Sequence, residues 1–523
     1  MFQFGKARKK PHVLIILDGW GLAPVWGGNA IAMAKIPNFS FYSKEYPYTT
    51  LHASGLPVGL PENCPGNSEA GHLNIGAGEI VHQDQPLIDS EIGEGDFVKN
   101  EVLLGAFSHA EDNHSNVHIM GLLSKTGTHS HIDHLFELLK LANLANFNRV
   151  YIHLFTDGRD SDSMSGIEML SEVNSATNTL KVGQISSVIG RFFAMDRDNN
   201  WERIMRTYDL LTAGTGRKYE SAGAIFTASY AAGTTDEFIE PSVIISKEHT
   251  PEFIHDNDSI IFFNFRSDRA KELTRVFLDP IFPEVPDRRL LSNLYFASFV
   301  VHDEHQLAKQ AFFPPIITKT LAEVWSEQNL CQFHIAETEK YAHVTYFFNG
   351  GTEKPVAGED RLMVPSPKSV RTYDLMPEMS ARAVASEVVS VLDKNIHDAM
   401  VINFANADMV GHTGDLKATM KAVEVVDECL GKVINKVLEK DGVAYVFADH
   451  GNAEQMVSPK TGYPDTEHTS NPVPFMIISN RPDLKNLTLR PDGALASIAP
   501  TVLELMLPGY KYLNKDKSLI IKQ

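Results

Sequence analysis

The sequence predicts an α/β protein whose main parallel-sheet domain is interrupted by a second α/β domain. Three runs, at 13–17, 399–404 and 444–448, are short and mostly apolar, and the first of them is continuous and rich in β-branched residues. Such runs are typical of parallel strands that are buried on both faces. A separate alternation of strands and helices fills the region from 83 to 315, and this favours a second α/β domain there.

The domain division follows from where the acidic strand ends occur. A length of 523 residues permits about three domains. However, acidic strand ends before position 83 and after position 400 are predicted to share one site, and this favours two domains. We predict a discontinuous metal-binding domain of residues 1–82 and 316–523, and an inserted substrate-binding domain of residues 83–315. Linkers are predicted near 81–85 and near 312–316, which contains Pro314 and Pro315.

The inserted region has its own elements. Apolar runs predict strands, and amphipathic segments between them predict helices. The predicted strands are 116–123, 149–155, 185–189, 260–265 and 295–301, and the predicted helices are 132–143, 164–177, 201–211 and 268–278.

Charge and cysteine content exclude several classes of function. The formal net charge of -19 makes nucleic acid and anionic membranes poor partners. An anionic substrate would therefore have to be attracted by local arginines and metal ions. Three cysteines, widely spaced and odd in number, indicate a reducing cytoplasm. We expect a cytoplasmic monomer that acts on a small molecule.

A single serine, Ser68, lies in the glycine-rich segment 64–78, directly ahead of a segment that can begin as a helix. Backbone N–H groups at a helix start stabilise an anion, so a phosphate on Ser68 would meet donors already oriented toward it. A serine in such a turn more often only caps the helix. Whether Ser68 is a nucleophile or only a helix cap therefore has to be judged from the other polar residues of the chain.

Carboxylates and imidazoles follow the three buried runs. Because ligands collect at the carboxyl ends of parallel strands, these side chains could converge on one crevice. They offer oxygen and nitrogen ligands without a thiolate, which suits Mn²⁺ and tolerates Zn²⁺, Co²⁺ or Fe²⁺. Two metal ions about 3.5 to 4 Å apart would activate a coordinated serine hydroxyl for phosphoryl transfer. The candidate ligands are Asp18, Asp408, His412, Asp449, His450 and His468.

Eight motifs then occur in a diagnostic order. They are LDGWG at 17–21, GNSE at 66–69, HSH at 129–131, DGRD at 157–160, NFRSDR at 264–269, ETEKY at 337–341, NADMVGH at 406–412 and ADHGN at 448–452. On these motifs the chain closely resembles the cofactor-independent phosphoglycerate mutases, a family of the alkaline phosphatase superfamily, over nearly its whole length.

The resemblance implies an alkaline-phosphatase-like fold and a reversible step of glycolysis and gluconeogenesis. In that step 3-phosphoglycerate gives its phosphoryl group to Ser68, the glycerate reorients, and the group returns to the 2-hydroxyl without added 2,3-bisphosphoglycerate. Lys340 would steady charge on the transferring group. The implied ligands are Asp408, His412 and His468 for one metal ion, and Asp18, Ser68, Asp449 and His450 for the other.

The resemblance also implies how the inserted domain contributes. A guanidinium fork binds carboxylate and phosphate oxygens bidentately, which suits a small anionic substrate. His129 would protonate the departing alkoxide or Ser68, and Asp160 would exchange protons with the glycerate hydroxyls. Residues 161–164 depart from the proline-containing turn expected in the family, so the local loop shape stays open. The implied substrate-binding residues are His129, Arg159, Asp160, Arg191, Arg197, Arg266, Arg269 and Lys340.

Three alternatives remain at this point. The segment 129–134 also fits the His-x-His-x-Asp-His pattern of metallo-β-lactamase-fold hydrolases, in which His129, His131, Asp133 and His134 would bind two zinc ions. A metal-dependent phosphatase or phosphopentomutase of the same superfamily would have a similar dinuclear site and nucleophile. A catalytically inactive binding protein is disfavoured, because buried Asp and His without a metal ion are costly.

Overall fold

The computed structural model describes residues 10–246, 250–303, 307–313, 316–512 and 517–522. The chain separates into two compact units, each described here by itself. Unit 1 comprises Met1–Gln83 and Pro315–Gln523, and unit 2 comprises Asp84–Pro314. Pro314 and Pro315, in the second predicted linker, lie outside the described residues.

The three strands predicted in the main domain form where the sequence is mostly apolar. The predicted strand at 399–404 has those bounds, and the strands predicted at 13–17 and 444–448 each begin one residue earlier, the latter also ending one residue earlier. In the described chain the strands are β1 (His12–Leu17), β2 (Tyr48–His52), β3 (Val117–Leu123), β4 (Val150–Thr156), β5 (Gln184–Gly190), β6 (Arg217–Tyr219), β7 (Ser242–Ile244), β8 (Ser259–Phe262), β9 (Tyr295–Ser298), β10 (Lys309–Gln310), β11 (Gln332–Glu337), β12 (Glu359–Val364), β13 (Ala399–Phe404), β14 (Val443–Phe447), β15 (Val473–Ser479) and β16 (Gly493–Ala494).

Helices connect most of these strands, as a parallel sheet requires. A π-helical turn, His343–Phe347, follows β11. The described α-helices are α1 (Ala30–Met33), α2 (Pro37–Glu45), α3 (Ser68–Ala77), α4 (Asp84–Glu94), α5 (Glu101–Asp112), α6 (Ile132–Leu144), α7 (Gly166–Leu180), α8 (Arg191–Ala194), α9 (Trp201–Ala213), α10 (Ala222–Ala231), α11 (Lys271–Leu278), α12 (Leu321–Glu327), α13 (Ala381–Lys394), α14 (Asn406–Gly411), α15 (Leu416–Glu439), α16 (Pro482–Lys485) and α17 (Ile498–Met506).

Unit 1 contains an eight-stranded sheet in the order β12-β11-β13-β1-β14-β15-β2-β16. The first five strands are parallel, and β15 is antiparallel to both of its neighbours. Within the parallel part Leu17 pairs with Phe404, and Ile16 pairs with Phe447. Therefore β1, β13 and β14 end side by side, and the segments that follow them begin at one edge of the sheet.

Unit 2 contains a second eight-stranded sheet, in the order β10-β9-β8-β3-β4-β5-β7-β6. Strands β8, β3, β4 and β5 are adjacent and parallel, and among the described strand pairs of this sheet only that of β5 and β7 is antiparallel. Their carboxyl ends again lie at one edge. Two sheets dominated by parallel pairs confirm the predicted fold class.

Several predicted boundaries in unit 2 are wrong, and distant hydrogen bonds explain two of them. The strand predicted at 260–265 ends at Phe262, and the side chain of Asn264 accepts a hydrogen bond from Leu122 N at 2.9 Å. The helix predicted at 164–177 begins at Gly166, whose N–H donates to Asp236 Oδ2 at 2.7 Å. The strand predicted at 295–301 ends at Ser298, and the helix predicted at 268–278 begins at Lys271.

The longest described helix, α15, has 24 residues and buries one face in the core of unit 1, to which it belongs. Among the helices that the structure describes, none is both long and apolar enough to cross a lipid bilayer.

A buried histidine at the start of β1 predicts that acid destabilises unit 1. His12 is 6% exposed, and its Nδ1 lies 2.9 Å from the hydroxyl of Tyr445, which can donate to it. Burial, and then the charge of Arg481, lower the pKa of His12 to about 3. The folded chain therefore keeps this ring neutral at a pH where the unfolded chain protonates it.

The consequence for stability has a definite sign. Between pH 6.5 and about 3 the unfolded chain binds one more proton at His12, so the free energy of unfolding falls by about 1.4 kcal/mol per pH unit. We expect His12→Asn, which keeps an acceptor for Tyr445, to be less acid-sensitive than the parent by about 2 kcal/mol between pH 6.5 and 5. Urea denaturation at the two pH values measures this difference. The same substitution at the exposed His52 is the control, and equal acid sensitivity of His12→Asn and the parent would contradict the prediction.

Candidate active site

Ser68 is the first residue of α3, and a neighbouring residue caps that helix. The side chain of Asn67 accepts the hydrogen bond from Ala70 N at 2.8 Å. The hydroxyl of Ser68 is therefore not used as the cap. It instead receives a hydrogen bond from Lys340 Nζ at 2.6 Å and lies 2.8 Å from His450 Nε2. The side chain that the sequence could have assigned to capping faces a cluster of charged groups.

The segments after β1, β13 and β14 place three carboxylates beside this hydroxyl. Asp18 directly follows β1, Asp408 lies in α14, and Asp449 follows β14. Gly19 has a φ of +73°, and a Cβ there would lie only 2.7 Å from the Cα of Asp408. Because only glycine permits both this left-handed turn and this close approach, Gly19 brings the first two segments together.

Six of the predicted ligands form two groups. Within each group the possible ligand atoms lie within 4.8 Å of one another. Ser68 Oγ is 3.4 Å from Asp18 Oδ1, so the hydroxyl lies beside the second group. The first group is Asp408, His412 and His468, and the second is Asp18, Asp449 and His450.

The hydrogen bonds of the histidine rings fit metal ligation. His412 Nδ1 lies 2.7 Å from Thr466 O, and His468 Nδ1 lies 2.8 Å from Gly66 O. Carbonyl oxygens only accept, so each Nδ1 carries the proton and each Nε2 is left with a lone pair. These two Nε2 atoms lie 3.0 Å apart and 3.2 and 3.0 Å from Asp408 Oδ1. Three electron-pair donors that face one another at this spacing suit a cation.

The second group also has unsatisfied acceptor capacity. Asp449 is fully buried, and its Oδ2 accepts no hydrogen bond from any described residue, although His72 Nδ1 approaches it to 3.3 Å. A buried carboxylate oxygen without a donor is costly unless a cation compensates it. The donor set of this group, two carboxylates and one imidazole, therefore also fits a divalent ion.

The pKa shifts in this cluster also indicate an excess of negative charge. Burial alone would lower the pKa of Lys340, but Asp18, Asp408 and Asp449 outweigh it and raise that pKa above its ordinary value. Burial alone would raise the pKa of Asp18 and of Asp408, but Lys340 and the neighbouring histidines together outweigh it and hold both pKa values well below the usual range. The same carboxylates overcome burial at His450 and raise its pKa to about 9. The site thus attracts positive charge.

Unit 2 contains a second cluster, in which positive charge dominates. Four of the five predicted arginines, Arg159, Arg191, Arg197 and Arg269, line a cavity of about 240 Å³. Burial, followed by the charges of its guanidinium neighbours, lowers the pKa of Arg269. Such crowding of like charges favours an anion in the cavity.

Arg191 is the buried anchor of this cluster. It is 3% exposed and donates to Asp157 Oδ1 at 2.7 Å and to Asp160 Oδ2 at 2.5 Å. Asp157 also accepts from Ser124 Oγ at 2.7 Å. No role was predicted for Asp157 from the sequence, although it directly follows β4 as Asp18 directly follows β1, and this position was the available signal.

The remaining predicted residues surround a carboxylate that sequence analysis did not assign. Asp268 Oδ1 is 3.2 Å from Arg266 Nε and 3.8 Å from His129 Nδ1, and Asp268 Oδ2 is 3.2 Å from Arg197 Nη1. Asp160 Oδ2 lies 3.8 Å from His129 Nε2 on the other side of the ring. Burial, and then the charge of Arg191, lower the pKa of His129 to about 4, so the ring is neutral near pH 7.

The competing zinc motif is not assembled as a metal site. His131 caps α6 by accepting from Asp133 N, and His134 pairs with Asp89 at 2.9 Å. Both groups that the described residues offer for a metal ion lie in unit 1, and neither includes a residue of 129–134.

Comparison with known proteins decides the family. A relative from Clostridium perfringens (strain SM101 / Type A), named 2,3-bisphosphoglycerate-independent phosphoglycerate mutase, is 50% identical over 95% of this chain and 96% of its own length. The chain belongs to this family. A relative of the same name from Clostridium kluyveri is 50% identical over 95% of this chain and 97% of its own. Residues 88–304 also match the family model described as BPG-independent PGAM N-terminus.

A solved structure of a phosphoglycerate mutase agrees with this family assignment. The enzyme from Leishmania mexicana is 30% identical, with 98% of each chain covered and a TM-score of 0.59. The resemblance to 2,3-bisphosphoglycerate-independent phosphoglycerate mutases that the eight motifs indicated is therefore confirmed.

Proposed function

We propose that the protein interconverts 3-phosphoglycerate and 2-phosphoglycerate through a phosphoserine on Ser68, at a site for two divalent metal ions. The observation that carries this proposal is the environment of the Ser68 hydroxyl. Because Asn67 caps α3, this hydroxyl is free of the capping role, and it contacts Lys340 and His450. Ser68 as a whole is 5% exposed. The names of the relatives support the substrate.

The two ligand groups divide the proposed metal ions between them. Asp408, His412 and His468 would hold one ion, and Asp18, Asp449 and His450, with Ser68, would hold the other. Oxygen and nitrogen donors without sulfur favour Mn²⁺, with Zn²⁺, Co²⁺ or Fe²⁺ as alternatives. The structure of the Leishmania relative was determined at low cobalt concentration. What the ions supply when bound is stabilisation of negative charge on the serine oxygen and on the phosphoryl oxygens.

The residues of unit 1 would act on the nucleophile. In the first half-reaction the bond from the C3 oxygen to phosphorus breaks, a bond from Ser68 Oγ to phosphorus forms, Ser68 loses its proton and the C3 alkoxide gains one. Lys340 donates to Ser68 Oγ and can remain as the counter-charge when this oxygen carries phosphate. In the second half-reaction the 2-hydroxyl loses its proton, takes the phosphoryl group and leaves Ser68 to be reprotonated.

The residues of unit 2 would bind the substrate and move its protons. Arg159, Arg191, Arg197, Arg266 and Arg269 would bind the carboxylate and phosphate oxygens. His129, neutral near pH 7, and Asp160 would exchange protons with the glycerate hydroxyls. We accordingly propose unit 1 as the metal-binding domain and unit 2 as the substrate-binding domain. We also propose a cytoplasmic monomer that serves glycolysis and gluconeogenesis.

The decisive assay supplies 3-phosphoglycerate and Mn²⁺ and omits 2,3-bisphosphoglycerate. We expect 2-phosphoglycerate to form, because the phosphoryl group stays on Ser68 between the two half-reactions and needs no phosphorylated cofactor. Phosphorus NMR distinguishes the two isomers and inorganic phosphate. Inorganic phosphate as the main product would indicate a phosphatase, and a strict requirement for added bisphosphate would contradict the proposal.

A further inference from the structure

A buried asparagine contacts the proposed metal site without being one of its predicted ligands. Asn403 lies near the end of β13 and is fully buried. Its Nδ2 lies 2.7 Å from Asp18 Oδ2 and 3.1 Å from His72 Nε2. An amide nitrogen carries two hydrogens, so it can donate one to each of these acceptors.

His72, the second partner of Asn403, is oriented by the backbone of the proposed nucleophile, Ser68. His72 lies one helical turn after Ser68 in α3, and its Nδ1 is 2.8 Å from Ser68 O. Because a carbonyl only accepts, Nδ1 carries the proton and Nε2 accepts from Asn403. The opposite orientation of the amide would place Asn403 Oδ1 against Asp18 Oδ2, two acceptors facing each other. The hydrogen-bond series from Ser68 O through His72 and Asn403 to Asp18 Oδ2 therefore has defined donors, which are His72 Nδ1 and Asn403 Nδ2.

Because of this hydrogen-bond series, the two oxygens of Asp18 have different partners. Asp18 Oδ2 accepts from Asn403, whereas Asp18 Oδ1 faces Lys340 Nζ at 2.8 Å and Ser68 Oγ at 3.4 Å. Only Oδ1 is thus presented to the proposed cation. The hydrogen bond at Oδ2 opposes rotation of the carboxylate, and such outer hydrogen bonds tune metal affinity.

We propose that Asn403 and His72 are positioning residues that hold Asp18 as a single-oxygen ligand and link its orientation to the start of α3. This inference rests on the proposed dinuclear site. By this inference, the acceptor His72 Nε2 acts through Asn403 on the affinity of one metal ion. That ion is the one held by the group that contains Asp18. The group of Asp408, His412 and His468 does not include either residue.

Two substitutions of one histidine separate this role from packing. His72→Gln places an amide oxygen near the position of Nε2 and can still accept from Asn403. His72→Asn places its amide near Nδ1 and loses that acceptor. Both replace a buried imidazole by a neutral amide, so a purely structural role would weaken both in a similar way. Asn403→Leu removes the donor to Asp18 and keeps the number of side-chain non-hydrogen atoms.

The measurement is a titration of the metal-free, full-length protein with Mn²⁺, with free Mn²⁺ followed by its EPR signal. For the parent we expect two bound ions. We expect His72→Asn and Asn403→Leu to weaken one of them by about 10- to 100-fold, and His72→Gln to keep both within a few-fold of the parent. The melting temperature of each metal-free variant is recorded, so that an unfolded Asn403→Leu protein leaves the comparison of the two His72 variants to decide.

His334→Asn provides the matched control, because His334 is another fully buried histidine of unit 1 with hydrogen bonds at both ring nitrogens. It is expected to lower the melting temperature and leave both Mn²⁺ affinities unchanged. Equal Mn²⁺ affinities in His72→Gln and His72→Asn would overturn the positioning role. A folded parent protein that binds fewer than two Mn²⁺ ions would instead overturn the dinuclear site itself.

Discussion

Replacing Ser68 by alanine is expected to abolish the isomerisation of phosphoglycerate. The loss should be on the order of 10⁴-fold or more, as for other enzymes that lose a covalent nucleophile. Stability should change little, because Asn67 and not Ser68 caps α3. The Ser68→Ala protein should also keep the chelating groups of Asp408, His412 and His468.

Two measurements check this prediction. Steady-state assays compare Ser68→Ala with Ser43→Ala, in which a serine of α2 is removed and turnover is expected to match the parent. Mass spectrometry after rapid acid quench should find a phosphate on Ser68 in the parent and none on the corresponding peptide of the variant. A Ser68→Ala protein with normal turnover, or a phosphate found on another residue, would contradict the phosphoserine proposal.

Removal of divalent metal ions is expected to abolish activity as completely, and reversibly. Without cations, three carboxylates face one ammonium group, and the buried Oδ2 of Asp449 has no donor among the described residues. Bound cations relieve this imbalance and stabilise only the folded state. An excess of Mn²⁺ of 100 times the dissociation constant should add about 2.7 kcal/mol to the free energy of unfolding for each ion bound.

The experiment removes metal ions with EDTA, dialyses the chelator away and restores Mn²⁺. Activity and melting temperature should fall together and recover together. Asp408→Asn, which removes a ligand, should lose most of the Mn²⁺-dependent rise in melting temperature. The matched control is Asp393→Asn, since Asp393 pairs with Lys436 and Lys440 at the surface. Full activity in metal-free protein, verified by elemental analysis, would refute the metal requirement.

The sequence predicted the framework of unit 1 well because its signals are local. Strands β1, β13 and β14 are mostly apolar runs, as expected for strands that are buried on both faces of a parallel sheet. The acidic residues that follow these strands therefore occur where parallel strands end. The start of α7 and the end of β8 were less predictable, because Asp236 accepts from the first residue of α7 and Leu122 donates to Asn264, just after β8, and both partners are far away in the chain.

The functions of individual polar side chains were harder to predict for the same reason. Asp268 has two arginines and one histidine as neighbours, and of these Arg197 is 71 residues away in the sequence. Asn403 is 385 residues from Asp18 and 331 from His72. No local pattern distinguishes such an asparagine from one that only satisfies backbone groups, because its partners are chosen by the packing of the sheet.

By itself the sequence determined the fold class, the family and the residue types available for chemistry, since composition, strand patterning and ordered motifs are properties of the linear chain. Only the tertiary structure decided that Asn67 caps α3 so that the Ser68 hydroxyl contacts Lys340, that the rings of His412 and His468 present their Nε2 atoms to Asp408, and that Asn403 holds one oxygen of Asp18. The physical reason is that a hydrogen bond depends on distances of a few tenths of an ångström and on which atom carries the proton, and both are set by residues hundreds of positions apart.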